Sequence, residues 1–232
     1  MLFRSLVAAS GRRVQLLDLP DENGGPGRAL AGIERALGAR PPAFYTARMA
    51  EQIEVGTLDN LTGLSEVDWI VEAVVEDLQV KQSVLARIDG EVAGQAIVTS
   101  NTSGLSIAQL MAGRSAALAR RFMGIHFFNP PRYMKLVEAV PGSQTDPNLV
   151  RQMADFLRDE LGKGVVVARD TPNFIGNRLG VFAILSMLHL MEREALTVAQ
   201  VDALSGPLMG RPASATLRLC DIIGLEIGRA HV

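Results

Sequence analysis

The stretch from Gly124 to Val140 constrains this chain more than any other. Gly124-Ile125-His126-Phe127-Phe128-Asn129 is apolar around one histidine, and Leu136-Val137-Glu138-Ala139-Val140 is a second β-type run carrying one carboxylate. Pro130 and Pro131 lie between them and end any ladder, because neither has an N–H to donate. The pattern predicts strand, sharp stop, strand. Ligands of open α/β sheets bind where strands end, so His126 with Glu138 on the next strand is a candidate acid/base pair. Taken alone, His126 fits an ordinary core imidazole at least as well.

The chain around it can bury a full core: it has 232 residues, 48% of them apolar. Lys plus Arg number 23 against 25 for Asp plus Glu, with neither sign in blocks, so no nucleic-acid footprint or anionic-membrane patch is expected. Cys220 is the sole cysteine and His126, His189 and His231 are far apart, which excludes a disulfide framework and gives no metal-ligand cluster. The longest apolar run, Leu179 to Met191, is short of the ~20 residues of a membrane span. The residues from Met1 to Ser10 hold too small an apolar patch for a secretory signal, so the cytoplasm is the expected compartment.

Both ends look foreign. Leu2-Phe3-Arg4-Ser5 and Glu226 to Val232 are what CTC TTC CGA TCT and GAG ATC GGA AGA GCA CAC GTC encode, and these strings contain one another's reverse complement. They resemble a sequencing adaptor, and we take as a hypothesis that the protein runs further in both directions. Other codons at either end of the underlying DNA would contradict it.

Arg13 to Asp18 reads as a strand ending in an acid. In a dinucleotide-binding unit this is the second strand, and Asp18 would accept hydrogen bonds from ribose hydroxyls; alone, it fits a solvated strand-end carboxylate. No strand followed by G-x-G-x-x-G stands upstream. Asp68 to Glu76 is a β-rich run followed by a helix from Leu78, with Glu76 and Lys81 at the junction. Ala96 to Ser100 is a further strand, running into Asn101-Thr102-Ser103-Gly104, whose small polar groups suit either ligand contacts or a plain turn and N-cap. Asp146-Pro147 opens a helix to Leu161, and Val165 to Ala168 is the last strand.

At Asp170-Thr171-Pro172 the pattern changes. Phe174 to Arg193 reads as one long apolar helix, and Thr197-x-x-Gln200 as a capping box opening another. The expected organisation is an α/β domain with a doubly wound, mostly parallel sheet over residues 1–169, then the start of an all-α domain over 170–232. On α-helical spacing, Leu179, Phe182, Leu185 and Met187 form either that domain's core or a subunit contact.

Val71-Glu72-Ala73-Val74-Val75-Glu76 with Lys81, Ser100-Asn101-Thr102-Ser103, His126-Phe127-Phe128-Asn129-Pro130 with Glu138, and Asp170-Thr171-Pro172-Asn173-Phe174-Ile175-Gly176-Asn177-Arg178 stand in one order and register. In these motifs the chain resembles the L-3-hydroxyacyl-CoA dehydrogenase family from about Leu6 to about Leu225. The resemblance implies a Rossmann-type sheet, here without its first strand and glycine-rich loop, and NAD as cofactor. It implies oxidation of the 3-hydroxyl of an acyl-CoA in fatty acid β-oxidation. His126 is then the base, Glu138 its ring partner, and Ser103 and Asn177 hold the substrate oxygen. Asp18, Glu76, Lys81 and Asn101 are implied to contact NAD. A homodimer, or a place in a multifunctional chain with an enoyl-CoA hydratase, is implied as assembly. The rival expectations are an NAD-linked dehydrogenase of another hydroxy acid and a non-catalytic fragment. Without the glycine-rich loop, the chain as it stands is expected to bind NAD weakly.

Overall fold

A computed structural model describes residues 3–92, 95–211 and 214–223. Leu2 and the run from Glu226 to Val232, read above as foreign, lie outside them. The elements in order are α1 (Phe3–Ala9), β1 (Val14–Asp18), α2 (Gly27–Leu37), β2 (Ile53–Thr57), β3 (Trp69–Glu72), α3 (Leu78–Glu91), β4 (Ile97–Ser100), α4 (Ile107–Leu110), α5 (Ala116–Arg120), β5 (Phe122–Phe127), β6 (Leu136–Pro141), α6 (Pro147–Asp159), β7 (Gly164–Val167), α7 (Gly176–Arg193), α8 (Val198–Ser205) and α9 (Leu217–Ile223). The chain divides into two compact units, Met1–Phe174 and Ile175–Val232.

The first unit is an α/β fold with a mostly parallel sheet interrupted at one place. β1 and β2 pair in parallel, and β3-β4-β5-β6-β7 form a separate five-stranded sheet. β3, β4 and β5 run parallel; β6 turns back antiparallel on β5, and β7 follows β6 in parallel. Among the described residues β1 and β3 are each paired on one side only.

Alternation along β5 and β6 builds a core on each face. Met123, Ile125, Phe127, Val137 and Ala139 pack with Met153, Leu157 and Leu161 at α6. Phe122 and Val140 point the other way, into a cluster with Ile107, Leu110 and Leu118. Gly124 belongs to that second face, where a Cβ would stand 2.8 Å from Ile107 Cδ1 and 3.2 Å from the Val140 Cβ. The glycine is what lets the start of α4 rest on the strand two residues before His126.

Three elements differ from the sequence reading. β2 was not anticipated, because Glu54 and Gly56 interrupt a run too short to show alternation. The β-rich run from Asp68 to Glu76 is strand only through Glu72, since the chain leaves the ladder once Glu72 bonds Val74 N. The helix expected from Phe174 begins at Gly176, because Asn173 and Phe174 sit at φ 61 and 48, in the left-handed region. On α7, Leu179, Phe182 and Leu185 are 63, 71 and 52% exposed in this chain, so they are not its buried core.

Asp170 links the end of the sheet to α4. Its carboxylate accepts from Ser106 Oγ, Ile107 N and Ala108 N, each at 2.9 Å, serving the N–H groups that a helix start leaves unpaired. Asp170→Ala should cost about 2 kcal/mol of folding stability, read from denaturant midpoints at constant m-value; a loss below about 0.5 kcal/mol would contradict this role.

Candidate active site

The C-terminal ends of β3, β4 and β5 lie at one edge of the sheet because the strands are parallel. Each end carries a polar group, and a loop follows each.

β5 and β6 supply the first group. Their antiparallel register sets His126 opposite Glu138, so both side chains leave the same face. His126 Nδ1 lies 2.8 Å from Glu138 Oε2, the arrangement in which an Nδ1–H tautomer donates to the carboxylate, and the pair is buried, at 5 and 1% exposure. With Nδ1 holding the proton, Nε2 is left with a lone pair, the form a base needs. Aromatic rings flank the imidazole: Phe128 at 4.5 Å and Phe174 at 5.9 Å between centroids. Phe174 owes its position to the left-handed backbone at Asn173 and Phe174, a strained conformation for bulky residues that is a common mark of functional sites.

β3, α3 and β4 supply the second group. Glu72 ends β3 inside the protein, accepting from Ser100 Oγ at 2.5 Å and Val74 N at 2.7 Å. Lys81, in the first turns of α3, places its ammonium 3.0 and 3.2 Å from the two Glu72 oxygens and 3.3 Å from Glu76 Oε2. Glu76 Oε1 accepts from Thr102 Oγ1 at 2.6 Å and from Ser103 N at 2.7 Å. Burial by itself would raise the Glu76 carboxyl, but the Thr102 hydroxyl, the Lys81 charge and the Ser103 N–H outweigh it and hold the group below the usual range.

The loop after β4 is therefore fixed along its length. Asn101 N donates to Glu72 O at 2.8 Å, and its Oδ1 accepts from Phe127 N at 3.1 Å, which ties the loop to the residue after His126. Gly104 lets it approach the Asp170 segment, since a Cβ there would meet Asn173 Oδ1 at 2.9 Å. Beyond β5, Lys163 is buried and donates to Pro131 O and, at 2.8 Å, to Met134 O, fastening the loop after the paired prolines. Burial lowers the pKa of that ammonium.

The first unit thus gathers His126, Glu138, Ser103, Glu76, Lys81 and Asn101 at the ends of β3 to β6. Asp18 ends β1, exposed, with one oxygen taken by Leu19 N at 2.7 Å and acceptor capacity remaining. Asn177 stands in the first turn of α7, in the second unit. Glu72, Thr102, Phe174 and Asp170 were not singled out as site residues from sequence. A carboxylate closing the apolar run Trp69-Ile70-Val71, nine residues before a lysine, was the available signal for the Glu72–Lys81 pair. Among the described residues there is no cluster that could hold a metal ion, and no helix is long and apolar enough to cross a membrane.

Parallel β3, β4 and β5 ending at one edge, with β6 turned back on β5 so that Glu138 faces His126, form an α/β architecture of the dinucleotide-binding type. Residues 3–171 match the model of the 3-hydroxyacyl-CoA dehydrogenase NAD-binding domain, and the chain belongs to that family. It is 46% identical over 224 residues to a probable 3-hydroxyacyl-CoA dehydrogenase of Deinococcus radiodurans, covering 95% of this chain and 65% of that protein. A Bacillus subtilis protein of the same description is 43% identical over 201 residues, 86% of this chain and 25% of its own length. The crystal structure of M. tuberculosis FadB2 superposes with a TM-score of 0.79 at 31% identity, over 97% of this chain and 79% of that one. The chain thus spans 65% and 25% of the two sequence relatives it matches.

The Glu76 network carries a pH signature. A carboxyl whose folded pKa is depressed contributes stability that is fully present above its unfolded value, about 4.3, and is lost as pH falls through the folded value. Denaturation midpoints followed from pH 6 to pH 3 should therefore fall more steeply for the parent than for Glu76→Gln. Parallel curves would show that these bonds do not favour the carboxylate.

Proposed function

We propose that this chain is the cofactor-binding and catalytic part of an NAD-dependent L-3-hydroxyacyl-CoA dehydrogenase of fatty acid β-oxidation. The observation that carries the reading is the buried His126–Glu138 pair, 2.8 Å apart in strand register, at the sheet edge where Ser103 is also held. His126 Nε2 takes the proton of the substrate's 3-hydroxyl, the C3–H bond breaks, and the oxygen becomes a carbonyl. NAD, when bound, accepts the hydride from C3. Glu138 keeps the imidazole in the tautomer with Nδ1–H and stabilises the imidazolium that forms, in a setting where little water screens the pair.

Ser103 is assigned to the substrate oxygen, where a hydroxyl donor stabilises the charge that develops as the proton leaves. Asn177 is assigned to the same oxygen. The exposed Asp18 carboxylate at the end of β1 fits ribose hydroxyls, and Glu76, whose side chain is 31% exposed, is assigned to the cofactor as well. Lys81 and Asn101 serve the cofactor region from behind. The acyl-CoA cleft and any dimer or hydratase partner are proposed for the protein at its relatives' length.

In a chain carried to that length, His126→Gln should keep the fold and NADH affinity but lower turnover by roughly 10²–10⁴-fold, the contribution of a positioned base. Steady-state oxidation of 3-hydroxybutyryl-CoA measures it. Turnover within about threefold of the parent would remove His126 from the chemistry.

A further inference from the structure

We infer that Asp170 is a positioning residue: by holding the start of α4, it sets Ser103 against His126. The inference rests on the function proposed above and adds to it a residue beyond β7. α4 spans only Ile107–Leu110, and a helix so short is marginal in isolation, so its start is placed from outside. Ile107 is fully buried, and its side chain lies where two glycines leave room. A Cβ at Gly124 would come 2.8 Å from Ile107 Cδ1, and one at Gly142 would come 3.2 Å from Ile107 Cγ2. Gly124 is in β5 with His126, and Gly142 directly follows β6, which carries Glu138. The start of α4 is thereby indexed to both strands of the His126–Glu138 pair. Asp170 secures the same point through the backbone: Oδ1 accepts from Ile107 N, and Oδ2 from Ser106 Oγ and Ala108 N, each at 2.9 Å.

The Asp170 segment meets the Ser103 loop a second time. Gly104 lies against Asn173, where a Cβ would stand 2.9 Å from Oδ1, and Asn173 leads into Phe174, whose ring centroid is 5.9 Å from that of the imidazole. Residues 170–174 therefore touch the loop at one end and the His126 ring at the other. Between those contacts Gly104 N and Leu105 N donate to Thr102 Oγ1, at 3.4 and 3.0 Å, which shapes the loop from within and does not place it. Placement on the α4 side of Ser103 falls to Ile107 and Asp170. A carboxylate suits three donors because both of its oxygens accept; an amide has one accepting oxygen, and its NH2 would face an N–H. Asp170→Asn thus keeps the size of the side chain but leaves a donor at the start of α4 unmet. A displacement of about 1 Å can cost roughly 10²-fold in rate, so even a partial loosening of Ser103 is visible in turnover.

The test is a double-mutant cycle on the chain at its relatives' length: parent, Asp170→Asn, Ser103→Ala and the two together, each assayed with 3-hydroxybutyryl-CoA below its own melting transition. Ser106→Ala, which removes one donor and keeps the carboxylate, carries the same cycle if Asp170→Asn fails to fold. Acting through Ser103, Asp170→Asn should lower kcat/KM about tenfold in the parent but less than about twofold once Ser103 is alanine, and Ser106→Ala should show the same pattern at smaller size. An equal loss in both backgrounds is the mark of a merely structural residue and would overturn the inference, as would no loss in the parent. The Ser103 amide, which donates to Glu76 Oε1 at 2.7 Å, gives a readout that needs no activity. With selective labelling at serine nitrogen, its hydrogen exchange should speed about tenfold in Asp170→Asn, and unchanged exchange would contradict the inference. If the parent proves inactive on 3-hydroxyacyl-CoA while Ser103 exchange still depends on Asp170, the functional reading fails and the hold of Asp170 on the loop stands.

Discussion

The register of β6 on β5 decides which side chains face each other at the centre of the candidate site. His126 and Glu138 meet because Gly124, His126, Glu138 and Val140 share one face while Met123, Ile125, Phe127, Val137 and Ala139 share the other. A slip by one residue would send Glu138 into the cluster at α6 and an alanine or valine toward the imidazole. Two apolar cores, one on each face, penalise that slip, so ordinary burial fixes the distance between His126 and Glu138. The paired prolines contribute by ending β5 where it ends, and Lys163 holds the loop that follows.

Buried charge is the second constraint. Glu72, Lys81, His126 and Glu138 are all nearly inaccessible, and each has its polar partner at hydrogen-bond distance. In such surroundings removing one member of a pair costs about 3–5 kcal/mol, whereas an apolar replacement of both can be neutral. Stability therefore does not by itself explain why the chain keeps these pairs. Under the proposed function their placement at strand ends gives the reason, since fixed dipoles and charges in a dry setting act on reacting atoms without reorganising.

Much of this was legible in the sequence because its signals are local. Two prolines after an apolar run, a carboxylate in the next run and an Asp-Pro helix start each carry their own physics, and β5, β6 and α6 lie where these place them. What could not be read were the long-range closures. Asp170 reaches Ser106, Glu76 reaches Ser103, and Asn101 reaches Phe127, all across loops whose spacing says nothing about contact. The left-handed turn at Asn173 and Phe174 was hidden for another reason: asparagine tolerates that backbone but phenylalanine disfavours it, and Phe174 reads as apolar helix until its packing on His126 is seen.

The central claim is that the face shared by His126 and Glu138 receives the 3-oxygen of an acyl thioester. A crystal structure of the protein at its relatives' length, with NADH and acetoacetyl-CoA, tests it directly. The account predicts the 3-oxygen within about 3.2 Å of His126 Nε2 while Nδ1 stays on Glu138. A complex with the thioester bound and that oxygen beyond about 5 Å from the imidazole, with no water between, would contradict it.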